Sequence, residues 1–409
     1  MQHRTPVRRR LVAATAALSL LGLPMLLSPA EAAGSKAPTV KVMTRNLYLG
    51  ANIMRPIAAL QQAQAEHPGD QLAQLNAFAN ANDATHGIVG DTDFAARADL
   101  LAGEISSAKP DLVGLQEVAL WRTGSMDSPL GPNFLATNAT TVDPAGDFLA
   151  VLLAELVEDG VEYKAISVAK RADVEGPAYE GSFGSAQQQE TDRDVRLTMR
   201  DVIIVRVGSA VKYTKGSKGN EVYEENLEFD LDNNPETDNA ITFSRGFQWA
   251  NFTSGDYRFR FLNTHFEAFG SDIAYAQAEP LIAGAAAYKG TAILSCDCNS
   301  DPLDGSVKPG ETQPHWGPYY RLIRAGFSDT WLQWAPPQDG WTSGLSETVD
   351  DGTAAGFDHR IDLILARTKD GGRLPVLSGE VVGNELTDRN EAGLWPSDHA
   401  GVLMKLRLR

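Results

Sequence analysis

Ile293-Leu294-Ser295-Cys296-Asp297-Cys298-Asn299-Ser300-Asp301 is the stretch on which the reading of this chain turns. The mostly apolar run 291–294 follows a glycine and predicts a short buried strand. Side chains alternate along a strand, so Asp297 and Asn299 face one way and Cys296 and Cys298 the other. An acid and an amide then stand together at a strand end. The acid can take a proton or hold a divalent metal, and the amide can donate to a phosphate oxygen without adding charge. Read alone, Asp-x-Asn after an apolar run is an ordinary turn, because both side chains bond nearby backbone.

Four other segments close in the same manner. Val40, Val42, Thr44 and Asn46 share one face of a strand expected over 39–47. Val113, Leu115 and Glu117 share one face of 111–118, and Phe259, Phe261, Asn263 and His265 one face of 257–265. Trp395-Pro396-Ser397-Asp398-His399 leads into a last strand at 401–408. Ligands of open α/β sheets bind outside strand ends, and chance turns account poorly for so many polar closures.

Seven pieces follow one another in a fixed order: Thr44-Arg45-Asn46-Leu47, Leu115-Gln116-Glu117-Val118, Arg200-Asp201, Asn263-Thr264-His265, Asp297-Cys298-Asn299, Arg360-Ile361-Asp362 and Ser397-Asp398-His399. Each is short, but the ordered set resembles the endonuclease/exonuclease/phosphatase superfamily. That group includes deoxyribonuclease I, abasic-site endonucleases, bacterial neutral sphingomyelinases and inositol-phosphate phosphatases. The resemblance implies an α/β fold (α+β by some schemes), a four-layered sandwich of two packed mixed β-sheets flanked by helices.

Phosphodiester hydrolysis needs a deprotonated water, neutralisation of charge growing on phosphorus, and a stabilised leaving oxygen. Glu117 with the Asn46 amide offers hard oxygen ligands to Mg²⁺ (or Mn²⁺ or Ca²⁺). The unperturbed pKa of a histidine lies near neutrality, which suits His399 to a general base. The resemblance assigns Asp362 to orient His399, His265 and Asn299 to hold the phosphate, Asp297 to position the water or leaving oxygen, and Asp398 to complete a second metal site. Asp358 competes with Asp362 for the orienting role. Arg200 is carried over as a phosphate ligand; Arg245 offers a bidentate grip on a phosphate oxygen or else a surface ion pair. Singly, His265 reads as a core-edge histidine and Asp398-His399 as a capped turn; the joint set favours catalysis.

Arg4 and Arg8 to Arg10, an apolar segment at 11–27 and the small-residue site Ala30-Glu31-Ala32 read as a secretory signal peptide over 1–32. An uncleaved anchor is the alternative, and the arginine triplet leaves a twin-arginine route open. Without those residues, four Arg and one Glu fewer, the formal charge of −17 becomes −20. Such a charge opposes tracking of a polyanion on a broad basic surface. It leaves a nuclease in play, since a bound metal reverses the field locally. Residues 33–409 read as one catalytic domain, with a helical insertion around 53–90 and a solvated acidic hairpin around 212–239. The residues Asp230, Asp232, Asn233, Asn234, Glu236 and Asp238 lack the Gly and terminal Glu spacing of a calcium loop.

Cys296 and Cys298 are the only cysteines. On an extended strand a bridge between them is near the geometric limit. Two buried thiols are therefore expected, with a strained disulfide as runner-up in an oxidising compartment and a catalytic thiol last. In the family these positions are usually Gly and an apolar residue, so this chain departs there. Helices are expected at 92–108, 147–158, 271–288 and 316–325, strands at 163–169, 202–207, 327–331, 360–366 and 375–382, and a loop at 173–193. Trp331, Trp334 and Trp341 surround Pro336-Pro337, as core packing or as an apolar rim touching a lipid surface transiently. An exported phosphodiesterase acting on a phospholipid head group is favoured. An extracellular nuclease, a phosphatase of small metabolites and a binding protein with a dead site are the other readings. No obligate protein partner is evident.

Overall fold

Alternating apolar residues build most of the strands. In the computed structural model, which describes residues 37–126, 139–231, 240–336 and 338–409, the first are β1 (Thr39–Asn46), β2 (Leu112–Gln116), β3 (Leu120–Gly124), β4 (Thr141–Asp147), β5 (Tyr163–Ala178), β6 (Arg193–Arg206), β7 (Val211–Val222) and β8 (Leu227–Asp230). Then come β9 (Ala240–Phe243), β10 (Gly246–Ser254), β11 (Tyr257–His265), β12 (Thr291–Asp297), β13 (Ser328–Asp329), β14 (Asp362–Arg367), β15 (Val376–Val382) and β16 (Gly401–Arg407). The helices are α1 (Arg55–Glu66), α2 (Gln71–Asp91), α3 (Phe94–Ala108), α4 (Phe148–Glu158), α5 (Ala186–Thr191), α6 (Ser271–Ala283), α7 (Gly317–Arg324) and α8 (Thr330–Trp334).

One mixed sheet runs β15-β16-β1-β2-β6-β3-β4, with β5 also on β6; the other runs β13-β14-β12-β11-β10-β7. Each has a parallel pair near its centre, β1 with β2 and β11 with β12. Strand alternation then sorts the core into layers. Val40, Val42, Leu112 and Ile203 of the first sheet meet Phe259, Phe261, Ile293 and Ile364 of the second. The opposite face of the first sheet, with Met43, Val113, Leu115 and Ile204, packs on Leu101 and Ile105 of α3 and Leu152 and Leu156 of α4. The opposite face of the second, with Leu262, Leu294 and Leu363, packs on Ala278 and Leu281 of α6 and Leu322 of α7. This is the expected four-layered sandwich. Residues Ala37–Arg409 form one compact unit.

Toward the strand ends the inter-sheet layer turns polar. Gln116 Nε2 donates to Asn263 Oδ1 at 2.6 Å, and Ser295 Oγ to the same oxygen at 3.1 Å. Gly114 lets the sheets approach there, since a Cβ would lie 2.0 Å from Ser295 Oγ.

Several boundaries differ from the sequence reading. The loop expected at 173–193 is largely strand and a short helix: β5 continues to Ala178 and pairs with β6, with irregularities between Ala165/Ser167 and Lys170/Asp173. A composition rich in Gly, Gln and Glu suggested a loop, but pairing to a long neighbour overrides local preference. Consequently Arg200-Asp201 lies within β6 rather than at a strand start. The strand expected at 327–331 is reduced to β13, because Asp329 caps the next turn by accepting from Trp331 N (2.9 Å) and Leu332 N (3.2 Å). Trp331 and Trp334 therefore sit on α8, not in a loop. The helical insertion expected around 53–90 is two helices, α1 and α2, the second running to Asp91. The acidic stretch forms β7 and the separate pair β8–β9 rather than one hairpin, and Asp232, Asn233, Asn234, Glu236 and Asp238 lie outside the described residues, as does the leader expected at 1–32. No helix among the described residues is long and apolar enough to cross a bilayer.

Candidate active site

Register puts three of the singled-out side chains in one row. His265 pairs with Asp297 across β11 and β12, and Asp297 pairs with Asp362 across β12 and β14. All three face the other sheet, because Phe261, Ile293 and Ile364 on the same faces fill the inter-sheet core. From that sheet Asn46, the last residue of β1, donates Nδ2 to Asp297 Oδ2 at 2.9 Å. The two sheets are thus joined at the site by an amide–carboxylate bond.

Glu117 arrives differently from the sequence reading. Val113 and Leu115 face α3, so a continued strand would aim Glu117 at the helices. Instead β2 stops at Gln116 and Glu117 takes a left-handed backbone, φ 54°. That turn brings Glu117 Oε1 to 4.0 Å from His265 Nε2, while Leu49 N donates to Oε2 at 2.9 Å.

His399 is held from three sides. Its Nδ1 is 2.8 Å from Asp362 Oδ2, Ser397 Oγ accepts from its backbone N–H at 3.1 Å, and the fully buried Arg45 donates to its carbonyl. Thr342 fixes the partner strand, its Oγ1 accepting from the N–H groups of Ile361 (3.2 Å) and Asp362 (3.1 Å). Nδ1 is engaged, so Nε2 is the nitrogen left for chemistry. Asp398 Oδ1 lies 4.0 Å from that atom. Asp358, the alternative orienting acid, is exposed, and its carboxylate bonds the neighbouring His359 ring.

The site concentrates negative charge. Burial, then Asp362, pushes the Asp297 carboxyl up to about 7, and burial lifts Asp398 to about 6. Burial works against a charged His399, but Asp362, Asp398 and Asp297 together carry it well above the usual histidine range. Burial, then the adjacent Arg245, hold His265 well below it, so His265 is neutral. Arg245 Nη1 sits 2.9 Å from His265 Nδ1.

This donor set fits a hard divalent cation. Ligand atoms of Glu117, His265 and Asp297 lie within 4.8 Å of one another, as do those of Asp297, Asp362 and His399. Asp362 Oδ1 is buried without a hydrogen-bond partner, and the raising of Asp297 and Asp398 by burial and neighbouring carboxylates is what a cation relieves. Neither group includes Asp398, and Asn46 Oδ1 already accepts from Tyr48 N at 2.8 Å.

Asn299 falls just past β12, with φ 41°; its N–H bonds Asp297 Oδ1 (3.1 Å) and its Nδ2 bonds Phe266 O (2.9 Å). Arg200 requires a correction. Its donors go to the carbonyls of Val118 and Ala119, both at 2.8 Å, and to Asp147 at 2.7 Å. It therefore braces the Glu117 turn instead of offering its fork to a phosphate. Asp201 pairs with Arg171 at 2.8 Å.

The cysteines also need correction: they are disulfide-bonded, not thiols. The geometric objection assumed an extended strand through Cys298, but β12 ends at Asp297 and the Cα atoms are only 5.0 Å apart.

Three residues were missed in the sequence. Arg45 joins Glu104 through two bonds of 3.0 and 2.9 Å while holding His399. The fully buried Arg97 donates to the carbonyls of Leu47 (2.8 Å), Tyr48 (3.2 Å), Thr92 (2.7 Å) and Pro396 (3.0 Å), tying the chain after Asn46 to the chain before Asp398. Its signal was present, since it shares the apolar helix face of Phe94, Ala98 and Leu101. Thr342 had no such signal, because only the tertiary fold brings it to Asp362.

No protein-family model matches the chain, and no curated protein matches it in sequence. Solved structures do resemble it. An endonuclease/exonuclease/phosphatase from Beutenbergia cavernae is 18% identical, over 90% of this chain and 72% of that one, with a TM-score of 0.48. A complex of D. rerio TDP2 with a single-strand DNA product is 15% identical, over 90% and 98%, at 0.46. In fold the chain is similar to these and to an endonuclease/exonuclease/phosphatase family protein from Leptotrichia buccalis, 14% identical over 90% and 99% of the two chains, with a TM-score of 0.49.

Proposed function

We propose that this chain is an exported, divalent-cation-dependent phosphoric diester hydrolase of the endonuclease/exonuclease/phosphatase superfamily. The observation that carries the reading is the convergence of Asn46, Glu117, His265, Asp297, Asp362 and His399 from both sheets on one point. Glu117, Asn46 and Asp398 would hold the cation, which when bound supplies Lewis-acid charge to a phosphoryl oxygen and the leaving group. His399 takes a proton from the attacking water at Nε2, and Asp362 fixes its tautomer and steadies the imidazolium. Neutral His265 donates to a phosphate oxygen, with Arg245 behind it supplying positive charge. The second N–H of the Asn299 amide serves a further oxygen. Asp297, which accepts from Asn46 Nδ2 and the Asn299 N–H, positions the water or the leaving oxygen.

The favoured substrate is a phospholipid head group. The formal charge without the leader, −20, gives no broad basic surface for a polyanion. Trp334 and Trp341 are 44% and 42% exposed, and they line one groove with Trp331 and Phe357. The groove also carries Asp339, Glu380 and Glu385, and its Trp341 precedes Thr342, which bonds the backbone of Asp362. The test is hydrolysis of bis-p-nitrophenyl phosphate, sphingomyelin, phosphatidylcholine, phosphatidylethanolamine and plasmid DNA with Mg²⁺, Mn²⁺ or Ca²⁺. Head-group release that chelator and His399→Ala abolish is the expected result. DNA cleavage with silent lipids would replace the lipid substrate by nucleic acid, and silence throughout would overturn the hydrolase.

A further inference from the structure

The Cys296–Cys298 bridge encloses a single residue, Asp297. Two extended residues span roughly 6.6–7.2 Å, against 5.0 Å between these Cα atoms, so the chain bends as it leaves β12. Cys298 has left the strand and donates its N–H to Ile361 O at 2.9 Å. Asn299 follows in the left-handed region, which a residue with a Cβ seldom adopts. This bend sets where both functional side chains point. It places the Asn299 N–H on Asp297 Oδ1 and the Asn299 amide beside Phe266, next to His265.

The sulfurs lie on the other side of the strand, in the apolar cluster containing Phe266, Ala278 and Leu322. Both cysteines are fully buried and cannot touch a substrate. Hydrogen bonds hold the bend from the active face, but each contributes little net and opens by fluctuation. A covalent link from residue 296 to residue 298 removes the extended alternative altogether.

We infer that the Cys296–Cys298 disulfide is a positioning device, locking the bend that aims Asp297 and Asn299 at the phosphate, so that full turnover needs the oxidised chain. The inference rests on the catalytic roles proposed above for Asp297 and Asn299. Reduction by dithiothreitol turns the bridge into two thiols as the reagent closes to its cyclic disulfide. Oxidised glutathione re-forms the bridge and leaves two glutathione thiols.

The experiment compares the oxidised protein, its reduced form and Cys296→Ala/Cys298→Ala. It reads kcat and KM on bis-p-nitrophenyl phosphate at saturating Mg²⁺, thermal melting, and amide hydrogen exchange over residues 297–300. In the double variant kcat falls by roughly tenfold to a hundredfold while KM holds within about twofold, because a misplacement on the order of 1 Å costs that much. Reduced protein behaves the same way, reoxidation restores it but not the variant, and exchange quickens at Cys298 and Asn299. An unchanged kcat with a lowered Tm would overturn the inference and leave the bridge a stability staple. If the oxidised protein hydrolyses no phosphoester, the proposed function fails; unaltered exchange over 297–300 then overturns the positioning role independently. Where the double variant does not fold, the reduction and reoxidation arm decides.

Discussion

At the scale of single residues, His399 and Asp362 make the most direct claim. His399→Ala should lower kcat by about two to four orders of magnitude, the span of a positioned general base, with circular dichroism unchanged; full activity would remove His399 from the chemistry. The pH dependence follows from charge. A base must be neutral, and the carboxylates around His399 raise its pKa well above the usual value, Asp362 most strongly, in spite of burial. Thus kcat/KM should climb with pH through the region above about 6.5. Asp362→Asn removes the largest raising charge, so the ascending limb should shift to lower pH even as the rate falls. A pH–rate profile whose limb stays put in that variant would show that another group titrates.

Secondary elements supply the aim of those residues, and their ends matter more than their middles. Glu117 reaches the site only because β2 stops one residue earlier and turns, and Arg200 holds the carbonyls of Val118 and Ala119 that follow. Arg200→Gln should therefore weaken Mg²⁺ activation by roughly tenfold to a hundredfold, as loss of ligand-orienting contacts does, with KM for substrate little changed. A raised KM with unaltered Mg²⁺ dependence would return Arg200 to the phosphate. Gly114 sets the spacing of the sheets. Gly114→Ala places a Cβ against Ser295 and Asn263, both buried and hydrogen-bonded, and should cost on the order of 1–3 kcal/mol by overpacking, measured by urea unfolding. At this scale the sequence was uneven. Val40 to Asn46 and Phe259 to His265 alternate plainly, and both faces lie where expected. β5 carries Gly176 and Pro177, so its pairing with β6 is invisible without the partner strand.

For the molecule as a whole, the two sheets bring together acids that no local force would gather. The fold binds protons at Asp297 (about 7) and Asp398 (about 6) more tightly than an unfolded chain does near 3.8. With pKa values raised on folding, these two groups favour the folded state less as pH rises from about 4 toward 7. His399, also raised, gives stability that is lost as pH climbs through its folded pKa. A bound cation favours the ionised carboxylates, so it reverses the loss. Mg²⁺ at a hundred times its Kd should stabilise by about 2.7 kcal/mol and raise Tm by several degrees, more at pH 8 than at pH 5. Differential scanning fluorimetry with Mg²⁺ against chelator checks this; an equal rise at both pH values would place the cation away from these carboxylates.

What the sequence determined by itself was the kind of elements and the chemistry at their ends. Period-two alternation closing in Asn46, His265, Asp297 and Asp362 requires that these side chains share the faces of their strands' apolar residues, whichever neighbours those strands find. Only the tertiary structure decided which ends meet. Register aligned His265, Asp297 and Asp362, inter-sheet packing set Asn46 against Asp297, and the turn at Glu117 reversed the face that alternation assigns. It also directed Arg200 to backbone carbonyls and joined Cys296 to Cys298. The physical reason is that alternation is a local steric property of the chain. Register, inter-sheet approach and the exits from strands are settled by burial and hydrogen bonding between segments distant in sequence.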